Sequence, residues 1–83
     1  MVPYQQRLRD LREDADLTQA QVAAYLGTSQ TMYARYERGA NELPIRHLIT
    51  LCKLHHVTAD YILGLEETKS RPGTPLHYRS LVR

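Results

Sequence analysis

Tryptophan and phenylalanine are absent from this chain of 83 residues, and cysteine occurs once, at Cys52. A single thiol cannot form an internal disulfide, which fits a reducing compartment and an expected cytoplasmic location. Without Trp or Phe, the six tyrosines must supply all the aromatic packing. No apolar run approaches the roughly 20 residues that span a bilayer, and the N-terminus is expected to lack a signal peptide. No glycine-rich loop suited to cradling phosphates is present, and no Ser-His-Asp or Cys-His arrangement rises above chance. Catalysis is therefore not expected. His47, Cys52, His55 and His56 crowd one stretch, but zinc needs four converging ligands. Cys52 falls on an apolar helical face, and His near a helix end commonly serves the helix dipole. Neither a metal nor a cofactor is expected.

Charge of one sign is also scarce. The net charge is +2, low for a chain that neutralises a polyanion. Residues 1–65 hold seven Lys/Arg and seven Asp/Glu, so the whole excess lies in residues 66–83, with four against two. Asp10, Glu13, Asp14 and Asp16 cluster near the end of the first helix. A chain this short forms one small domain with a marginal core, so oligomerisation or ligand binding is expected to add stability.

What is present is helical punctuation. Pro3 suits a helix start because its missing N–H is not needed there. Tyr4, Leu8, Leu11 and Ala15 then recur as an amphipathic stripe, predicting a first helix over roughly 3–14. Thr18 with Gln21 forms a capping box, and Leu17 with Val22 a hydrophobic staple, so a second helix runs to Leu26. Gly27 supplies the turn. Ser29 caps a third helix, Gln30 to Arg38, closed by Gly39. Pro44 restarts a helix in which Ile45, Leu48, Ile49 and Cys52 share an arc widened by Leu51 and Leu54, which predicts the most buried helix. Thr58 caps a fifth, with Val57 and Ile62 as staple, Tyr61, Ile62 and Leu65 on its apolar side, and Gly64 at its end. From Glu66 to Pro75 the chain reads as a linker, and residues 76–83 (LHYRSLVR) as a short strand, helical turn or partner-binding arm. No internal repeat occurs.

The third helix has two faces. Tyr33, Tyr36 and Glu37 lie at i, i+3 and i+4 on one. Gln30, Thr31, Ala34, Arg35 and Arg38 lie on the other, a set of amide, hydroxyl, methyl and guanidinium groups of the kind that read base edges and hold phosphates. Two short helices joined through Gly27 make a helix-turn-helix.

LTQAQVAAYLG (17–27), SQTMYARYERG (29–39) and HVTADYILGL (56–65) agree in order and spacing with one family. The chain from Leu17 to Leu65 resembles the phage-repressor and Cro-type helix-turn-helix proteins, also called the Xre or lambda-repressor-like family. The resemblance implies an all-α, compact five-helix bundle over residues 1–65, extended by residues 66–83. It implies a regulator, repressor more than activator, that binds a near-palindromic double-stranded operator as a homodimer. The major-groove helix is then the third. Gln30, Thr31, Ala34 and Arg35 become candidates for base reading: Gln for adenine, Arg for guanine, Ala for a thymine methyl. The plain alternative is a solvated polar face.

Gln19, Ser29, Arg38 and Asn41 become candidates for phosphate contact, with Arg46 near the start of the fourth helix. Tyr33 takes the family's aliphatic position, where a ring can be buried and a hydroxyl sent to a phosphate; a purely structural role is the alternative. Arg12 and Glu37 match positions that pair across helices one and three. Glu42 departs from the basic character usual in its loop. A different class of function stays open: an antitoxin, or a protein-interaction module that uses residues 66–83 to bind a partner protein.

Overall fold

The computed structural model describes residues 2–66. They form five helices: α1 (Tyr4–Asp14), α2 (Gln19–Leu26), α3 (Gln30–Arg38), α4 (Ile45–His55) and α5 (Ala59–Ile62). The linker beyond Glu66 and the arm at 76–83 lie outside the described residues.

Each helix begins where the sequence places a start signal. Pro3, at φ −65°, presents its carbonyl to Gln6 N–H and Arg7 N–H at 3.1 and 3.2 Å. Thr18 Oγ1 accepts from Gln21 N–H at 3.1 Å while Gln21 Oε1 accepts from Thr18 N–H at 2.8 Å, completing the capping box. Ser29 and Thr58 accept from Met32 N–H and Tyr61 N–H, both at 3.1 Å. Such a cap contributes about 1 kcal/mol. Helix ends are more varied. Gly27 and Gly39 turn left-handed at φ 75° and 79°, a conformation that costs an L side chain energy and a glycine almost none. Asp16 and His56 adopt the same region at φ 58° and 57° without being glycine. They end α1 and α4 where no glycine signal exists.

The core is Leu8, Leu11, Val22, Ala23, Tyr33, Tyr36, Leu51, Val57 and Ile62. Each large aliphatic side chain there gains roughly 1.5–3 kcal/mol over an exposed one. Tyr33 and Tyr36 meet edge to face, with ring centroids 6.4 Å apart at 82°, and Tyr36 meets the His47 ring at 5.8 Å. His47 is 6% exposed. Burial, with Arg46 nearby, depresses its pKa.

The structure corrects two expectations and adds one buried residue. The buried positions of α4 are His47 and Leu51, while Ile45 and Ile49 face outward at 74% and 52% exposure. Ile45, Leu48, Ile49, Leu51, Cys52 and Leu54 occupy so much of the α4 circumference that periodicity does not fix its rotation. Ala15 and Leu65 are exposed rather than packed, since both fall in the turns after their helices. Arg7, outside the apolar stripe named for α1, is 6% exposed, with its guanidinium 4.3 Å from the centre of the Tyr61 ring. Its position is legible afterwards: it stands three residues after Tyr4 and four before Leu11, on the inner face of α1.

Candidate nucleic-acid interface

The site begins with Arg12, near the end of α1. Its Nε donates to Glu37 Oε2 at 2.7 Å and its Nη2 to Glu37 Oε1 at 3.2 Å, a two-pronged ion pair between α1 and α3. Nη1 donates to the Leu17 carbonyl at 3.0 Å, so all three guanidinium nitrogens are engaged. The Arg12 side chain is 13% exposed and that of Glu37 4%. Burial alone would raise the Glu37 pKa, but hydrogen bonds led by that of Arg12 outweigh it, and the carboxylate lies below its ordinary value. The Glu37 bond likewise raises the Arg12 pKa.

The pair continues outward. Gln19 Nε2 donates to Glu37 Oε1 at 3.1 Å, and Gln19 Oε1 accepts from Gln30 Nε2 at 3.0 Å. The polarity of this chain is forced by chemistry. A carboxylate only accepts, so Gln19 must offer it the amide N–H; its oxygen then faces Gln30, which must donate. Gln30 keeps its own carbonyl oxygen and one N–H for a ligand, side by side on the exposed face of α3. In the sequence Gln19 and Gln30 stand as separate candidate contacts, without this link between them. A signal was available: both are the first residue of a motif helix, eleven positions apart.

The remaining candidates fall as follows. Thr31, Arg35 and Arg38 are exposed along α3, and Ala34 is half-buried between them. Ser29 uses its oxygen to accept from Met32 N–H, which leaves its O–H free to donate outward. Asn41 and Arg46 are exposed beyond the C-terminus of α3 and near the start of α4. Tyr33 is a correction. It is fully buried, and its hydroxyl is enclosed beside Glu37 without a well-formed hydrogen bond. Burial, then the Glu37 carboxylate, drives its pKa far up. A hydroxyl enclosed there cannot reach a phosphate, because the family's aliphatic position is a core position and the ring fills it entirely.

Of the acidic cluster at the end of α1, Glu13 borders this surface. Glu13 Oε2 accepts from Arg9 Nε at 3.1 Å and lies 3.9 Å from Arg12 Nη2. Arg9, Arg12, Gln19, Glu37 and Arg38 line a shallow polar groove of about 270 Å³. On another face, Tyr4, Glu42, Leu43, Ile45, Leu48 and Leu63 line a mainly apolar groove of about 420 Å³. Among the described residues no group of His, Cys, Asp and Glu could hold a metal, and no helix is long and apolar enough to cross a membrane.

Comparison with known proteins places this geometry. A family model described as helix-turn-helix matches residues 8–62. Over 64 residues the chain is 41% identical to an uncharacterized HTH-type transcriptional regulator, YobD, of Bacillus subtilis (strain 168), covering 77% of this chain and 57% of that protein. Over 70 residues it is 31% identical to the HTH-type transcriptional regulator ImmR of the same organism, covering 84% and 55%. The chain thus spans somewhat over half the length of these relatives. The crystal structure of the P22 c2 repressor protein in complex with synthetic operator 9T in the presence of Tl+ shares the fold. Its TM-score is 0.73 at 24% identity, over 80% of this chain and 100% of that one.

Proposed function

The chain belongs to the helix-turn-helix family of the phage-repressor type, and from that membership we propose that it binds double-stranded DNA sequence-specifically as a transcriptional regulator, in the first instance a repressor. In this reading α3 enters the major groove and α2 lies across the backbone. The observation that carries it is the fixed Gln30 amide, tethered through Gln19 to the buried ion pair. A side chain so held loses little freedom on binding. Its free carbonyl and N–H match the N6 and N7 edge of adenine, and Arg35 suits the O6 and N7 edge of guanine. Thr31 and Ala34 offer methyl groups to thymine. Gln19, Ser29, Arg38, Asn41 and Arg46 hold phosphates and set the register without reading sequence.

Selection of bound sites from a random duplex pool tests the reading and supplies the operator. On that operator Gln30→Ala and Arg35→Ala are each expected to lose about 1–3 kcal/mol, and less on random DNA. Equal losses on both DNAs would assign these side chains to phosphate.

The operator in this reading is near-palindromic and the protein a homodimer in the cytoplasm, associated with the nucleoid. Supporting this are the small core and the outward-facing Ile45, Ile49 and Leu65, the last at 70% exposure. A two-fold dimer sets its α3 helices roughly 34 Å apart, one DNA turn. Sedimentation at micromolar concentration is expected to show a dimer that Ile49→Glu dissociates; a monomer that binds one half-site tightly overturns it. The apolar groove at Tyr4, Leu43, Ile45, Leu48 and Leu63 also favours a second reading, an antitoxin or protein-interaction module that engages a partner there or through residues 66–83. A protein-only adapter shows no salt-dependent binding to random duplex.

A further inference from the structure

We propose that the polar groove between α1, α2 and α3 is a seat for one backbone phosphate, and that Arg9, held in reserve by Glu13, closes on it. The inference rests on the DNA-binding reading. Three donors border the groove from three helices: Arg9 from α1, Gln19 from the first turn of α2 and Arg38 from the last turn of α3. The charges there do not cancel. Among the described residues that line the groove, Arg12 is matched by Glu37, and Arg9 by Glu13 at 3.1 Å, which leaves the Arg38 cation over it. One phosphate supplies the missing negative charge.

Arg9 is the adjustable member. Its side chain is 59% exposed and that of Glu13 51%, and an exposed i,i+4 pair of this kind is weak. A phosphate drawn to Arg38 offers Arg9 a second charge-assisted acceptor beside Glu13. The Arg9 guanidinium therefore exchanges Glu13 for the phosphate when DNA arrives. Glu13 competes for Arg9 and keeps the empty groove from attracting every duplex it meets.

The test is a titration of the intact protein on the selected operator and on random duplex between 50 and 200 mM salt. Loss of one phosphate contact lowers the slope of log K against log salt by about 0.9. Arg9→Ala is thus expected to weaken binding on both DNAs, with the deficit shrinking roughly three-fold from the lowest salt to the highest. Glu13→Gln is expected to tighten binding on both, and that gain is expected to vanish in the Arg9→Ala background. A general charge effect of Glu13 would survive there instead and overturn the reserve role. If the unaltered protein binds with its full salt slope and Arg9→Ala matches it, the phosphate seat is wrong while DNA binding stands. If the unaltered protein binds no duplex, the functional reading itself fails. Both side chains are exposed, so equal melting temperatures verify that the variants are folded.

Discussion

Replacing Arg12 with alanine is expected to cost about 3–5 kcal/mol of folding stability, because it leaves the Glu37 carboxylate buried without its cation. For a domain of this size that lowers the melting temperature by well over 10 °C, at about 4–8 °C per kcal/mol. The effect exceeds that of an ordinary surface pair because the Glu37 side chain is only 4% exposed and receives two bonds from Arg12. The double change Arg12→Met with Glu37→Leu is expected to recover much of the loss, since it removes both desolvation costs together.

Acidification gives the same interaction a second signature. The Glu37 pKa is depressed in the folded state, so its contribution is fully present above the ordinary value of 4.5 and is lost as pH falls through the folded value. In Arg12→Ala the leading opposition to burial is gone and only the Gln19 and Tyr33 bonds remain, so the Glu37 pKa lies higher than in the unaltered protein. The stability gap between the two proteins therefore narrows on acidification. Thermal melts from pH 7 to pH 3 measure it; a constant gap shows that the loss does not come from the Glu37 charge, and a negligible loss at pH 7 shows the pair to be energetically idle.

The other large effect is at Tyr33. Tyr33→Ala empties the space of a fully buried ring that braces Tyr36 and is expected to cost about 3–5 kcal/mol. Tyr33→Phe keeps the ring and deletes only a hydroxyl that lacks a well-formed hydrogen bond. An exchange of that kind is expected to change stability by no more than about 1 kcal/mol, in either direction. Denaturant melts compare the three proteins. Operator affinity of Tyr33→Phe equal to that of the unaltered chain follows from the enclosed hydroxyl, whereas a weakened complex would restore a role in phosphate contact.

The contrast between Tyr33 and its surroundings shows where sequence reading stops. The starts of α2, α3 and α5 were legible at Thr18, Ser29 and Thr58 because a cap is a local bond between residues two or three apart. The ends of α2 and α3 were legible at Gly27 and Gly39 because a left-handed residue is a local property too. Asp16 and His56 end helices in the same conformation, but their side chains do not announce it. The rotation of α4 was not legible, since its apolar residues cover too much of its circumference and the choice falls to Tyr36 and His47 in three dimensions. Tyr33 suits two roles in the sequence because an amphipathic residue satisfies both patterns until burial is known. On the candidate interface, the exposed face of α3 followed from helical spacing, and the Arg12–Glu37 pairing from family resemblance. The bond from Gln19 to Gln30 joins two helices through a turn whose geometry no single window of sequence contains.

That bond has a consequence for how such a protein changes over time. Gln30 is wired through Gln19 and Glu37 to Arg12, so a substitution there disturbs a network that also holds α1 to α3. Thr31, Ala34 and Arg35 have no side-chain bond of this kind among the described residues, so altering them leaves the Arg12–Glu37 network untouched. Under the proposed function, the surface separates into a fixed index mark and three interchangeable characters. A descendant can acquire a new operator by rewriting the characters while the mark keeps the alignment, and a laboratory library randomised at those three positions alone should remain folded while its target sequences diverge.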